Sequence, residues 1–276
     1  MNQNKAKRWL LSLAKYLLLS IAAFISIFPF YWMVAGATNT SNAIAQGNLM
    51  PGSFLFTNLK NLFATYDIPR IMFNSFKIAV VSVGVNLTIT SMAAFGFEKF
   101  KTKWSERIYS IFLISMMIPF SALMIPLFKM MAGLHLVNTH LAVIMPTMAS
   151  TFLIFFFRQN FKSFPNDILE AARIDGATNI YAFFRIVMPS MKATYAAAAI
   201  YSFMTAWNNY LWPLIVLQTD ATKTMTLMIS SLSTSSYVAD YGMQMTALVI
   251  ATIPMMILFL VMQRSFVEGM TGSVKG

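Results

Sequence analysis

Apolar residues fall along this chain in long blocks, separated by polar stretches that hold most of the charge. Six blocks run over residues 9–36, 71–97, 107–131, 138–160, 192–217 and 243–263. A helix rises about 1.5 Å per residue, so about 20 residues cross a hydrocarbon layer of about 30 Å. Backbone amides in lipid must be paired internally, which leaves helices or closed barrels as spanning structures. Barrel strands alternate in polarity, whereas these blocks are continuous, so they predict helices. The expected fold is all-α: a polytopic membrane protein of six transmembrane helices forming a single domain over 1–276. Its core spans lie within 71–263 and its N-terminal anchor helix covers 9–36.

Composition removes the soluble alternative. The chain is 58% hydrophobic and 11% charged, against about 25% charged in soluble domains. So few charges cannot cover a water-facing surface. The 25 Phe and 23 Met suit lipid-facing and adaptable helix faces, and the pairs Met116-Met117 and Met130-Met131 read as packing. With no Cys there is no disulfide framework and no thiolate chemistry. The first block follows Lys5, Lys7 and Arg8, and Ala43-Ile44-Ala45 resembles a cleavage site. The block is nevertheless too long for a signal peptide and ends on Tyr31-Trp32, so it reads as a retained anchor.

The net charge of +11 is distributed with a bias. Lys5, Lys7, Arg8, Lys99, Lys101, Lys103, Arg107, Arg158, Lys162, Arg173, Arg185, Lys192, Arg264 and Lys275 fall on one side of the expected bundle. The other side holds Lys60, Arg70 and Lys223, with Lys77 and Lys129 near span ends. The positive-inside rule then puts both termini in the cytoplasm and makes the basic balance a matter of orientation, not of nucleic acid. The outer connections, 37–70 and 218–242, are polar, and the second is rich in Ser and Thr. His135 and His140, at a short outer turn, read as solvated.

The cytoplasmic loop 161–191 carries the most information. Its stretch Phe164-Pro165-Asn166-Asp167-Ile168-Leu169-Glu170-Ala171-Ala172-Arg173-Ile174-Asp175-Gly176-Ala177 reads as a short helix. Pro165 suits the first turn, Asn166 and Asp167 suit the positive N-terminal end, and Gly176 suits a left-handed stop. Ala171 and Ala172 form a small-residue surface flanked by Glu170, Arg173 and Asp175. A helix lying on lipid headgroups would instead carry bulky apolar residues and cations. A knob that docks on another protein is the better expectation.

Glu170-Ala171-Ala172, then Asp175-Gly176-Ala177, then Ile186 to Pro189, resembles the EAA loop of ATP-binding-cassette importer permeases. Phe28-Pro29-Phe30-Tyr31-Trp32, Met145-Pro146, Phe157-Arg158-Gln159 and Trp207 to Leu214 resemble the maltose- and lactose-type sugar branch, as does the short tail 264–276. Asn209 departs from the pattern, since many relatives carry an acidic residue there. The resemblance implies a coupling helix whose Glu170, Ala171, Ala172, Arg173, Asp175, Gly176 and Pro189 meet an ATPase subunit. It also implies a second homologous permease, two ATPase subunits, a lipid bilayer around the spans and an extracytoplasmic sugar-binding protein, which the loop 218–242 is placed to touch. ATP and Mg would be used by the ATPase, with no cofactor bound by this chain. The resemblance places Glu268, Gly269 and Gly272 at the ATPase interface, the alternative being a frayed chain end.

Polar residues inside the blocks form the second candidate site. A polar side chain at membrane depth is costly unless it faces a partner or a wet cavity. Trp207, Asn208, Asn209, Tyr210 and Trp212 read either as a sugar pathway or gate or as interhelical hydrogen bonding. Asn86, Thr88 and Thr90 are further candidates, and Pro213 is expected to loosen the helix just beyond. Ala196 to Ala199 read as close packing. The sequence carries no phosphate-binding glycine loop, catalytic triad or chain of buried carboxylates. The chain is therefore expected not to be an enzyme and to receive energy from a separate motor. An ion-coupled secondary carrier and a membrane scaffold are the competing readings.

Overall fold

A computed structural model describes residues 3–234 and 240–270, with side chains described over 8–232 and 240–263. The principal helices, in chain order, are α1 (Gln3–Ala37), α2 (Leu55–Thr65), α3 (Ile68–Lys99), α4 (Lys103–Ser115), α5 (Phe120–Gly133) and α6 (His140–Ile144). They continue with α7 (Thr151–Phe161), α8 (Asn166–Ile174), α9 (Lys192–Trp207), α10 (Leu211–Val216), α11 (Met225–Thr234) and α12 (Tyr241–Met270). There is no strand among the described residues. The all-α expectation holds.

Three helices are long and apolar enough to cross a bilayer by length and composition: 8–37, 68–99 and 241–263. The block expected as one span over 107–131 is α4 plus α5, bent by 104°. Pro119 causes the break: it sits at the N-cap of α5 in extended backbone and cannot donate to the preceding turn. The block over 138–160 is α6, a 3-10 turn at Met145–Thr147 and α7, bent by 44°. The block over 192–217 breaks at Asn208–Tyr210, earlier than the loosening expected at Pro213. Pro213 lies in the first turn of α10, where its missing N–H costs nothing.

Two compact units make up the chain. One comprises residues 1–68 and 229–252. Within it, the segment after α1 is a folded cap rather than the polar loop the sequence suggested. Asn39 Nδ2 donates to the carbonyls of Ala35 (2.9 Å) and Met50 (2.8 Å). Asn58, on α2, donates to the carbonyls of Ala37 and Asn39, each at 2.9 Å. Gly242, early in α12, packs so closely that a Cβ there would come within 2.8 Å of the Asn58 amide.

The other unit comprises residues 69–228 and 253–276. Its larger core joins Ala94 and Phe95 of α3, Leu153, Phe157 and Phe161 of α7, and Tyr195 and Ala198 of α9. The alanine run of α9 therefore packs as expected, with Ala197 and Ala198 buried. A second core gathers Ile78, Met131, residues 142–144, Trp212 and Val216, so Met131 is packing. Within the Ser/Thr-rich stretch, residues 218–234 are structured. Asn138 Oδ1 accepts from the backbone of Gln218 and Thr219 and from the Thr222 hydroxyl, and α11 follows. His135 is exposed as expected. His140 opens α6 half-buried, its Nε2 3.3 Å from the Thr222 carbonyl.

Trp212 is fully buried, and its indole N–H donates to the Ala142 carbonyl at 2.8 Å. Trp212→Phe keeps most of the apolar area but strands that carbonyl, at a cost of about 1–3 kcal/mol. We expect a lower thermal midpoint in detergent. An unchanged midpoint would show that the carbonyl is satisfied by other means.

Candidate functional site

The segment after α7 forms a handle, a short helix bounded at both ends. Pro165 takes the N-cap position in extended backbone, and α8 begins at Asn166. Asp167 lies in the first turn and Arg173 in the last, each complementing the helix dipole. The C-terminus closes in a Schellman motif: the Ala177 amide donates to the Ala172 carbonyl (2.9 Å) and the Gly176 amide to that of Arg173 (3.0 Å). Gly176 holds φ +84°, the left-handed conformation expected for it, and nothing lies within 4 Å of where its Cβ would be. Thr178 then caps the short helix Asn179–Ala182, and a π-helical turn over Phe183–Val187 leads to Pro189, which is exposed.

Two faces of α8 have different roles. Leu169 and Ala172 are buried, and Leu169 joins the core that includes Phe161, Phe164 and Phe183. Glu170, Ala171, Arg173, Asp175 and Gly176 stay exposed. The expected small surface of two alanines is thus one alanine, because the 3.6-residue period turns Ala172 inward with Leu169. Sequence reasoning missed the apolar groups beside it. Ile174 is 87% exposed, and Ile180 and Tyr181 are exposed too. A β-branched apolar residue directly before Asp175-Gly176 was the available signal.

Behind the handle lies an ionic foot. Lys99 Nζ donates to the Phe164 carbonyl (2.9 Å) and to Asn166 Oδ1 (2.8 Å), tying the end of α3 to the start of α8. Arg173 stacks on Phe100 and donates to Asn179 Oδ1 at 3.3 Å. Arg158 is buried and donates to Glu98 at 3.2 Å and to Glu106, with its guanidinium 3.9 Å from the Tyr109 ring centroid. Lys101 pairs with the other Glu98 oxygen at 2.7 Å. Sequence reasoning used Arg158 for orientation and within the resemblance at Phe157-Arg158-Gln159, and gave it no buried partner. A cation inside an apolar block was the signal that it had a buried partner.

The aromatic and amide cluster divides. Trp207 is buried and stacked on Phe203, ring centroids 5.5 Å apart, and Trp212 belongs to the second core. Asn208 is the exposed C-cap of α9 and Tyr210 the half-buried N-cap of α10. Asn209 lines a cavity of about 200 Å³ together with Asn86, Ser150, Tyr201, Ser202 and Thr205. The fold thus brings Asn86 and Asn209 to one place. Thr90 is buried, donating to the Asn86 carbonyl, while Thr88 is exposed. Glu268 and Gly269 lie in the last turn of α12, with their side chains outside the described residues, and Gly272 is itself outside them.

Long apolar helices, broken helices around a polar cavity and a charged handle define a multi-span membrane transport subunit. Residues 86–272 match the binding-protein-dependent transport system inner membrane component family, and the chain belongs to it. It is 49% identical over 269 residues to a lactose transport system permease protein of Rhizobium radiobacter, covering 98% of each chain. It is 35% identical over 270 residues to an arabinooligosaccharides transport system permease protein of Bacillus subtilis, covering 96% of each. Its fold is similar to a solved bacterial ABC transporter involved in the import of the acidic polysaccharide alginate, with TM-score 0.83, 20% identity and coverage of 94% and 98%. The chain is an inner-membrane transport permease, as the motifs implied, and these two relatives are sugar-transport permeases.

Proposed function

We propose that this chain is one of two homologous permease subunits of an ATP-driven importer, passing a disaccharide or oligosaccharide delivered by an extracytoplasmic binding protein. The observation that carries the proposal is the handle 164–189: a short helix closed by a left-handed glycine, buried on one face and exposing Glu170, Ala171, Arg173, Ile174 and Asp175 on the other. Such a surface suits a cleft on a separate ATPase subunit, with ATP and Mg used there. Six spans complete the bundle once the two bent pairs and α9–α10 each count as one. The excess of Lys and Arg on the side of the handle supports cytoplasmic termini. Glu268, Gly269 and Gly272 are further proposed contacts with the ATPase.

The handle works by differential binding. ATP closes the ATPase pair, which binds one orientation of α8 better than the other. The buried face, through Leu169 and Ala172, passes that preference to the spans. Trp207, Asn208, Asn209, Tyr210 and Trp212 form or support the pathway wall. The test is uptake by the complete transporter in proteoliposomes. Vanadate should stop it and collapse of ion gradients should not, while the reverse result would identify an ion-coupled carrier. Glu170→Ala should leave membrane insertion intact and reduce co-purification of the ATPase subunit severalfold. Undiminished co-purification would remove Glu170 from the interface.

A further inference from the structure

A polar cavity of about 390 Å³ lies where the end of α3, the turn after α7 and α8 meet. Its volume falls within the range of about 300–1,000 Å³ typical of small-molecule sites. Lys99 ends α3 and Lys101 follows it, Lys162 comes from the turn after α7, and Arg173 from α8; all four line the space. Glu98 and Glu170 are the carboxylates of the lining. Four cations against two carboxylates leave an excess of two positive charges. Arg158, behind Glu98, is met by Glu106 and does not alter that balance. Cations gathered around a half-enclosed space repel one another, and an anion between them relieves the repulsion.

The cations are equipped for an oxyanion. Lys101 Nζ lies 2.7 Å from Glu98, and Lys162 Nζ donates to Gln159 at 2.9 Å. An ammonium has three donors, so among the described residues these contacts leave further donors on each. The Arg173 guanidinium uses its Nε on Asn179 and stacks on Phe100, which leaves its terminal fork for a phosphate. Lys99 contributes mainly charge, with two of its donors committed to the Phe164 carbonyl and Asn166.

The location says which oxyanion. The apolar helix 68–99 ends at Lys99, so the cavity lies at the level where hydrocarbon gives way to headgroups. Phe100 and Trp104 follow, both exposed, Trp104 at 70%, and the Arg107 guanidinium lies 5.1 Å from the Trp104 ring centroid. Exposed rings set among Lys101, Lys103 and Arg107 are the composition of a membrane–water interface. Basic pockets between helices at that level take anionic headgroups. We propose that this cavity binds the phosphate of an anionic phospholipid, held by Lys101, Lys162 and Arg173. One headgroup then fastens the handle to the foot of α3 and α7. The proposal does not depend on which solute the transporter carries.

Native mass spectrometry of the complete transporter, titrated in detergent with phosphatidylglycerol or phosphatidylcholine, reads the affinity for each lipid. Phosphatidylglycerol should bind the more tightly. Lys162→Gln removes only an exposed side chain and its contact with Gln159. It should weaken phosphatidylglycerol binding about fivefold, the factor one cation contributes beside anionic lipid. Adding Lys101→Gln should weaken binding further, while Lys162→Arg should retain the wild-type affinity. Lys103→Gln removes an equal charge outside the lining and should change the affinity by less than about twofold, as expected of a screened surface charge. An equal loss in Lys103→Gln overturns the site, because the attraction would then be diffuse. Displacement of the lipid by an equal concentration of inorganic phosphate or glycerol phosphate overturns the lipid as its ligand. Equal affinity for the two lipids, or an affinity that no cavity variant changes, also overturns the proposal and leaves these cations to a carboxylate of a neighbouring subunit.

Discussion

Gly176→Val should reduce sugar uptake by roughly 5–30-fold without changing insertion or thermal stability of the bundle. The backbone at Gly176 has φ +84°, and a Cβ there would meet nothing within 4 Å. The cost is therefore purely conformational, about 1–2 kcal/mol for a left-handed L-residue and more for a β-branched one. An energy of that size shifts a local equilibrium by a factor of about 5–30. The equilibrium at stake is the closed end of α8. Opening it releases the Schellman bonds from Ala177 and Gly176 and re-aims Ile174, Asp175 and the turn that follows. Because the residue is exposed and packs against nothing, the damage stays in the handle. The series should rank Asn above Ala above Val, since Asn tolerates left-handed backbone and Val does not. Uptake assays on the three variants, normalised to subunit present in the membrane, test the ranking. Transport by Gly176→Val at the wild-type rate would mean that the closed end of α8 has no part in coupling.

That ranking depends on a feature legible in the sequence, and the reason is local. A left-handed helix stop is encoded by one residue type at one position, so Asp175-Gly176 announces it without tertiary information. The same holds for α1, α3 and α12, whose apolar runs are long enough to need no partner. The breaks were less legible. Pro213 looked like a helix breaker but sits in a first turn, while the real interruption falls at Asn208–Tyr210. A proline's effect depends on its distance from a helix start, and hydropathy does not give that distance. The cavity lay further out of reach. Asn86 and Asn209 are more than a hundred positions apart, and each alone reads equally as pathway or as interhelical hydrogen bonding. Only packing of α3 against α9, with two more breaks closing the space, joins them. Ala172 turned inward for a related reason: the helix period was readable, but which face meets the core is set by Phe161, Phe164 and Phe183.

The ionic foot yields the second large effect. Arg158 is 5% exposed and Glu98 8%, so each has left most of its water behind, and their mutual contact at 3.2 Å offsets that loss. Removing one member of a buried pair typically costs about 3–5 kcal/mol, because the other is left charged and poorly solvated. Arg158→Met should fall at the lower end of that range, since Lys101 remains 2.7 Å from Glu98. It also loses the stacking on Tyr109. The thermal midpoint of the detergent-solubilised protein should therefore drop by several degrees. Arg158→Lys should recover little, because a single ammonium cannot reproduce a fork that reaches Glu98 and Glu106 together. The decisive variant is Arg158→Met combined with Glu98→Gln. If the cost of the single change is the stranded carboxylate, neutralising it restores stability, and the double variant should be more stable than Arg158→Met alone. Neighbouring sites of this kind couple by about 0.5–3 kcal/mol. Simple addition of the two single losses would mean that the pair contributes through packing, with its charges screened by water reaching the foot of the helices. Because the network joins the ends of α3 and α7 and the start of α4, just ahead of α8, the same variants should weaken transport beyond their loss of stability.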